Sequence, residues 1–218
     1  MTLEAWQTAG VRGVLHRPSI SNGDAIALTH GAGSDASAPL LVRVASALAE
    51  AGYLVLRYDL PYRVARPKGP PSPAGAERDR EGIVCAVNAL RKLACRRVFA
   101  GGHSYGGRQT AMAAAECGSL ADALLLLSYP LHPPRQREQL RTGFFPELRT
   151  PALFVHGTRD PFGSIEELRA AIAAIPARTE LLVVAGAGHE LQSATAADIA
   201  DIADIVERFR TTVCYPEK

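Results

Sequence analysis

Apolar residues in this 218-residue chain fall into short runs and helical stripes that alternate along its length. Gly10 to Arg17 alternates apolar and polar positions and predicts an edge strand or hairpin arm, closed by Pro18 and a Ser-Asn-Gly turn. Asp24 to Thr29 predicts a short strand that runs directly into His30-Gly31-Ala32-Gly33-Ser34-Asp35. From Pro39 to Ala51, Leu40, Val44 and Leu48 recur at helical spacing, and Gly52 supplies a stop. Tyr53 to Tyr58 is the next strand, followed by Asp59-Leu60-Pro61-Tyr62. Arg63 to Gly75 carries Pro, Arg, Lys and Gly with almost no large apolar residue, which predicts an exposed loop.

The second half repeats the alternation. A helix is expected from Ala76 to Ala94, burying Ile83, Val87, Leu90 and Leu93. The strand beginning at Val98 and Phe99 leads into a helix starting near Arg108, whose small residues from Gln109 to Cys117 allow close packing. Ala123 to Ser128 is continuously apolar and predicts a central strand. Arg135 to Leu148 is polar and of mixed propensity. Ala152 to His156 and Glu180 to Val184 predict strands, Ser164 to Ile175 a helix, and Ala194 to Phe209 a closing helix. This order implies a mostly parallel sheet of at least six strands with helices on both faces, a three-layer α/β sandwich. The length suits one domain over residues 1–218.

Composition narrows the function. Net charge is +2 with acids and bases interspersed, so no broad basic face for nucleic acid is expected. The apolar run from Ala123 to Leu127 is far too short for a bilayer, so no membrane partner is expected. The start, Met1 to Trp6, lacks a basic segment followed by an apolar one, which predicts a cytoplasmic location. Cys85, Cys95, Cys117 and Cys214 show no C-x-x-C spacing, which argues against a zinc site or redox motif, and no metal is expected. Free buried thiols are the favoured reading, with a disulfide left open.

In sheets of this kind ligands bind beyond the carboxyl ends of the strands. There the chain carries Gly102-His103-Ser104-Tyr105-Gly106, a Gly-x-Ser-x-Gly turn between strand and helix that presents a serine as nucleophile. Gly101 to Gly106 has phosphate-loop spacing, but Gly107 and Arg108 replace the Lys and Ser/Thr that chemistry needs. A dinucleotide fingerprint is absent from the stretch. Asp160 follows one later strand and His189 another. The order Ser104, Asp160, His189 suits a serine acylated with His189 as base and Asp160 as its orienting acid. The expected oxyanion donors are the N–H of Tyr105 and one from the early loop, Ala32 placed ahead of Gly33. Gly31, Gly33, Leu131, Phe162 and Leu191 are the candidate pocket residues. Arg108 could pair with Asp59, and Arg63, Arg66 and Lys68 form either a solvated loop or a selector for acidic substrates.

The chain resembles the α/β-hydrolase superfamily, within it the small dienelactone-hydrolase-like and testis-expressed hydrolase-like group. The resemblance rests on His30 to Gly33, Arg57-Tyr58-Asp59-Leu60-Pro61-Tyr62, Gly101 to Arg108, and the Asp160 and His189 loops. It implies hydrolysis of a small-molecule carboxylic ester or thioester without a cofactor. Dienelactone hydrolases proper use a cysteine nucleophile; Ser104 stands there here, which favours ordinary ester chemistry. The interval from Ser128 to Pro151 is too short for a lid domain, so a capless, shallow and open site is expected. A catalytically silent binding or scaffold protein, an acyltransferase and a C–C hydrolase remain as alternatives on the same residues.

Overall fold

In the computed structural model, which describes residues 1–8, 11–94, 96–192 and 198–214, eight strands form one sheet. They are β1 (Thr2–Thr8), β2 (Val11–Arg17), β3 (Ala25–Thr29), β4 (Leu54–Asp59), β5 (Val98–His103), β6 (Leu124–Leu127), β7 (Ala152–Gly157) and β8 (Thr179–Val184). Their order across the sheet is β1-β2-β4-β3-β5-β6-β7-β8. The β1–β2 and β2–β4 pairs are antiparallel, and β3 to β8 run parallel.

Alternation along each strand sends side chains to two separate cores. On β3, Ala25 and Ala27 join one core while Ile26 and Leu28 join the other. The first core lies under α3 (Ala76–Arg91), α4 (Tyr105–Glu116) and α5 (Ile165–Ile172); the second lies under α1 (Pro39–Glu50) and α6 (Asp198–Cys214). With both faces covered, every residue of β3, β4, β5, β6 and β7 is buried, which is why these strands read as apolar runs. A further short helix, α2 (Pro61–Ala65), follows β4. No helix among the described residues is long and apolar enough to cross a membrane.

Several expectations change. The strand β1 gave no pattern because nearly all its residues are exposed; only its ladder with β2 defines it. Gly10 and residues 194–197 of the expected elements lie outside the described residues, and α6 extends to Cys214. The segment after Tyr62 is not a plain exposed loop: it holds α2, a 3₁₀ turn at Pro73–Gly75 and a buried Arg63. The α3 helix stops at Arg91, and Leu93 is 37% exposed rather than buried, since it lies past the helix end. The α4 helix starts at Tyr105, and α5 ends at Ile172. Cys85 and Cys117 are free but exposed, not buried.

Candidate active site

Loops leaving β3, β5, β7 and β8 each deliver part of the site. After β5 the chain turns at Ser104 with φ 52° and ψ −117°, a left-handed conformation that strains a non-glycine residue by about 1–3 kcal/mol. The turn closes because its flanks lack side chains. A Cβ on Gly102 would lie 2.6 Å from the Thr29 carbonyl oxygen, and one on Gly106 2.4 Å from that of His30. The Ser104 N–H donates to the Leu127 carbonyl at 2.9 Å, which fixes the turn against β6.

The structure brings Ser104, His189 and Asp160 together. Ser104 Oγ lies 2.8 Å from His189 Nε2, and His189 Nδ1 lies 2.8 Å from Asp160 Oδ2. The Asp160 carboxylate is fully buried, and its other oxygen accepts the Phe162 N–H at 2.9 Å. An ionised carboxylate only accepts, so the imidazole proton belongs on Nδ1 and the Nε2 lone pair faces the hydroxyl. The Phe162 ring packs against His189 with centroids 4.3 Å apart. His103, buried beside the serine, donates from Nε2 to the His189 carbonyl at 2.8 Å and so ties the base loop to the turn. Burial, and then the neighbouring His189 charge, push the His103 pKa below the ordinary histidine value. Sequence reading passed over His103 because it is the variable position of the motif.

The early loop is held by its carbonyls. The Gly31 carbonyl accepts from His30 Nδ1 at 2.9 Å, Tyr62 Oη at 3.1 Å and the Ser34 N–H at 3.2 Å. The Ala32 carbonyl accepts from Tyr62 Oη at 2.8 Å and Arg63 Nη2 at 3.3 Å. In a trans peptide the N–H opposes the C=O, so clamping the Gly31 carbonyl turns the Ala32 N–H the opposite way. Ala32 lines the cavity that contains Ser104, whereas Gly33 does not. The Tyr62 and Tyr105 rings meet edge to face at 5.9 Å. Both residues are anchored by one buried carboxylate: Asp79 accepts the Tyr62 N–H at 3.0 Å and the Tyr105 hydroxyl at 2.8 Å. Burial raises the Tyr62 hydroxyl to about 12, so it stays a donor.

The cavity beside Ser104 has a volume of about 480 Å³, within the ordinary range for a small-molecule site. The loop from Pro70 to Pro73 forms one wall; Pro130, Arg141 and Phe162 line it from the segments after β6 and β7. The site is therefore half enclosed rather than shallow, although the β6–β7 interval holds only a 3₁₀ turn at Phe145–Glu147. Phe162 is at the wall, as expected. Gly31 abuts the turn, where a Cβ would lie 3.1 Å from His103 Nδ1, and Gly33 faces open space. Leu131 and Leu191 do not reach the wall: each is buried in a core, Leu131 against Gly163 and Leu191 at φ 50°.

The charged expectations also shift. Asp59 accepts from Arg12 at 2.7 Å and from the Ala36 N–H at 2.8 Å and does not pair with Arg108. Arg63 is engaged by the carbonyls of Ser34, Arg66, Ala32 and Gly69, and Arg66 by that of Pro70; with Lys68, they stay off the cavity wall. Among the described residues no cluster of His, Cys, Asp or Glu is arranged to hold a metal ion.

Comparison with known proteins agrees with this fold. A family model described as an alpha/beta hydrolase domain matches residues 22–213. A dienelactone hydrolase from Anabaena variabilis superposes with a TM-score of 0.75 at 20% identity, over 97% of this chain and 98% of that one. Est1E from Butyrivibrio proteoclasticus gives 0.74 at 17% identity over 99% and 100% of the two chains, and one of its structures holds ferulic acid. An alpha-beta serine hydrolase homologue from Coxiella burnetii gives 0.73 at 17% identity over 95% and 96%.

Proposed function

The chain belongs to the alpha/beta hydrolase domain family, and on that premise we propose that it is a serine hydrolase acting on small-molecule carboxylic esters or thioesters. The observation that carries the reading is the chain of two 2.8 Å contacts from Ser104 Oγ through His189 to Asp160, on a serine held in strained left-handed backbone.

Ser104 Oγ attacks the substrate carbonyl carbon while its proton passes to His189 Nε2. Asp160, accepting from Nδ1, holds the ring in place and stabilises the imidazolium. The carbonyl oxygen gains the displaced electron pair and takes hydrogen bonds from the N–H groups of Tyr105 and Ala32, the first at the positive end of α4. Collapse expels the alcohol or thiol, protonated from Nε2, and leaves an acyl-serine. Water then gives a proton to Nε2 and adds to the acyl carbon, and a second collapse frees the carboxylic acid and returns the proton to Oγ. Serine in place of cysteine makes the acyl-enzyme an oxygen ester.

A fluorophosphonate probe followed by mass spectrometry tests the reading. The expected result is an adduct on Ser104 in the parent, none in Ser104→Ala, and loss of 4-nitrophenyl acetate hydrolysis by about 10³-fold or more in that variant. An unlabelled parent overturns the enzyme reading, and an adduct on another serine overturns the site.

A further inference from the structure

The cavity beside Ser104 carries two charged residues, both arginine: Arg108 from α4 and Arg141 from the segment after β6. No Asp, Glu or Lys among the described residues lines it. Among the described residues neither arginine has a carboxylate partner, whereas Arg80 on α3 is paired with Glu116 at 2.9 Å. Arg108 Nε is buried with no hydrogen-bond partner. Arg141 has only the Pro130 carbonyl, at 3.5 Å, for its guanidinium. The Tyr129 hydroxyl donates to the Arg141 carbonyl at 2.5 Å, and the Arg108 charge is near enough to act on it. The two cations are close enough that Arg141 is held below the ordinary arginine pKa, first by burial and then by Arg108. Guanidinium groups stay protonated, so this pair places two like charges together in a half-buried site. Such an arrangement is stabilised when an anion lies between them, and the fork of a guanidinium matches carboxylate or phosphate oxygens. The remaining wall is apolar, with Pro71, Pro73, Met112 and Phe162.

We propose that Arg108 and Arg141 form an anion subsite, and that the substrate is an ester with an apolar body whose acyl or alcohol part carries a carboxylate or phosphate group. The inference rests on the hydrolase reading for turnover but not for binding. The arginines act on the remote end of the substrate and orient its carbonyl at Ser104.

Two arms test it. In the first, full-length Ser104→Ala is titrated calorimetrically with 4-acetoxybenzoate, 4-acetoxyphenyl phosphate and neutral methyl 4-acetoxybenzoate. In the second, kcat/KM of the parent is compared for mono-4-nitrophenyl glutarate and neutral 4-nitrophenyl pentanoate. The charged member of at least one set is expected to be favoured about tenfold or more. That ratio collapses toward one in Arg108→Gln and in Arg141→Gln, and Arg108→Lys restores part of it. Stronger carboxylate than phosphate binding, or the reverse, identifies which oxyanion the pair accepts. Equal affinity and equal turnover within every set overturns the subsite, as does a charge preference that survives in both glutamine variants. Circular dichroism of each variant separates loss of the subsite from loss of the fold. A parent unlabelled at Ser104 whose Ser104→Ala form still prefers the anions overturns the hydrolase reading and leaves the subsite standing.

Discussion

Asp79 shows how one side chain supports two loops at once. It is fully buried on α3, and its two oxygens accept from the Tyr62 backbone and the Tyr105 hydroxyl. Tyr62 in turn holds the Gly31 and Ala32 carbonyls, so both proposed oxyanion donors depend on this carboxylate. Asp79→Asn is isosteric but turns one acceptor into a donor facing a donor. It is expected to lower stability by about 1–3 kcal/mol and to reduce kcat by more than it raises KM, measured by urea denaturation and ester kinetics. A kcat unchanged beside lost stability would make Asp79 purely structural. Glycine at the turn is as demanding: the Gly106→Ala methyl has to occupy space 2.4 Å from the His30 oxygen, so soluble expression of that variant is expected to collapse. At this scale the sequence exposed Ser104, Asp160 and His189, because motif spacing and chain order carry them. It could not show Asp79, His103 or the Arg108–Arg141 pair, whose roles exist only once α3, the turn and the β6–β7 segment are packed together.

At the scale of elements, α5 begins directly beyond the Asp160 loop and is fixed by its cap. Ser164 Oγ accepts the Glu167 N–H at 3.2 Å, and the Glu167 carboxylate accepts the Ser164 N–H at 2.8 Å. Ser164→Ala is expected to lower stability by about 0.5–2 kcal/mol, read as a fall in Tm of about 2–4 °C for each kcal/mol in a chain of this size. An unchanged Tm would mean that solvent satisfies those groups equally well. The central strands are legible in the sequence, because their continuous apolar runs follow from burial on both faces. The elements that escaped are those whose formation is not driven by burial of their own apolar faces. In β1 the side chains are nearly all exposed, and its backbone pairing with β2 defines it. In α2 the organising group is a buried arginine, which composition reads as solvated until four carbonyls are found around it.

Across the whole molecule, the sheet separates two apolar cores, and buried histidines sit along its upper edge and its antiparallel side. His16 on β2 accepts from Arg57 Nε at 2.7 Å, so its Nε2 has to remain unprotonated. Burial first, and the Arg57 charge second, lower its pKa from 6.5 to about 4. His30 and His103 are lowered in the same direction, also by burial first. Between pH 6.5 and about 4 the unfolded chain takes up a proton at His16 that the folded protein refuses. The unfolded state thus binds more protons, and stability rises with pH through that window and falls as the medium is acidified. Above pH 6.5 the contribution is complete and flat. Across the window His16 alone gives a slope of up to about 1.4 kcal/mol per pH unit. His16→Gln keeps a carbonyl to accept from Arg57 but does not titrate. Urea unfolding of both proteins at pH 7.5, 6.5, 5.5 and 4.5 is expected to show a shallower acid decline in the variant, its deficit relative to the parent shrinking as the pH falls. Parallel profiles would mean that His16 is protonated as readily in the fold as outside it. The Arg57–His16 contact would then have to open in acid without destabilising the sheet.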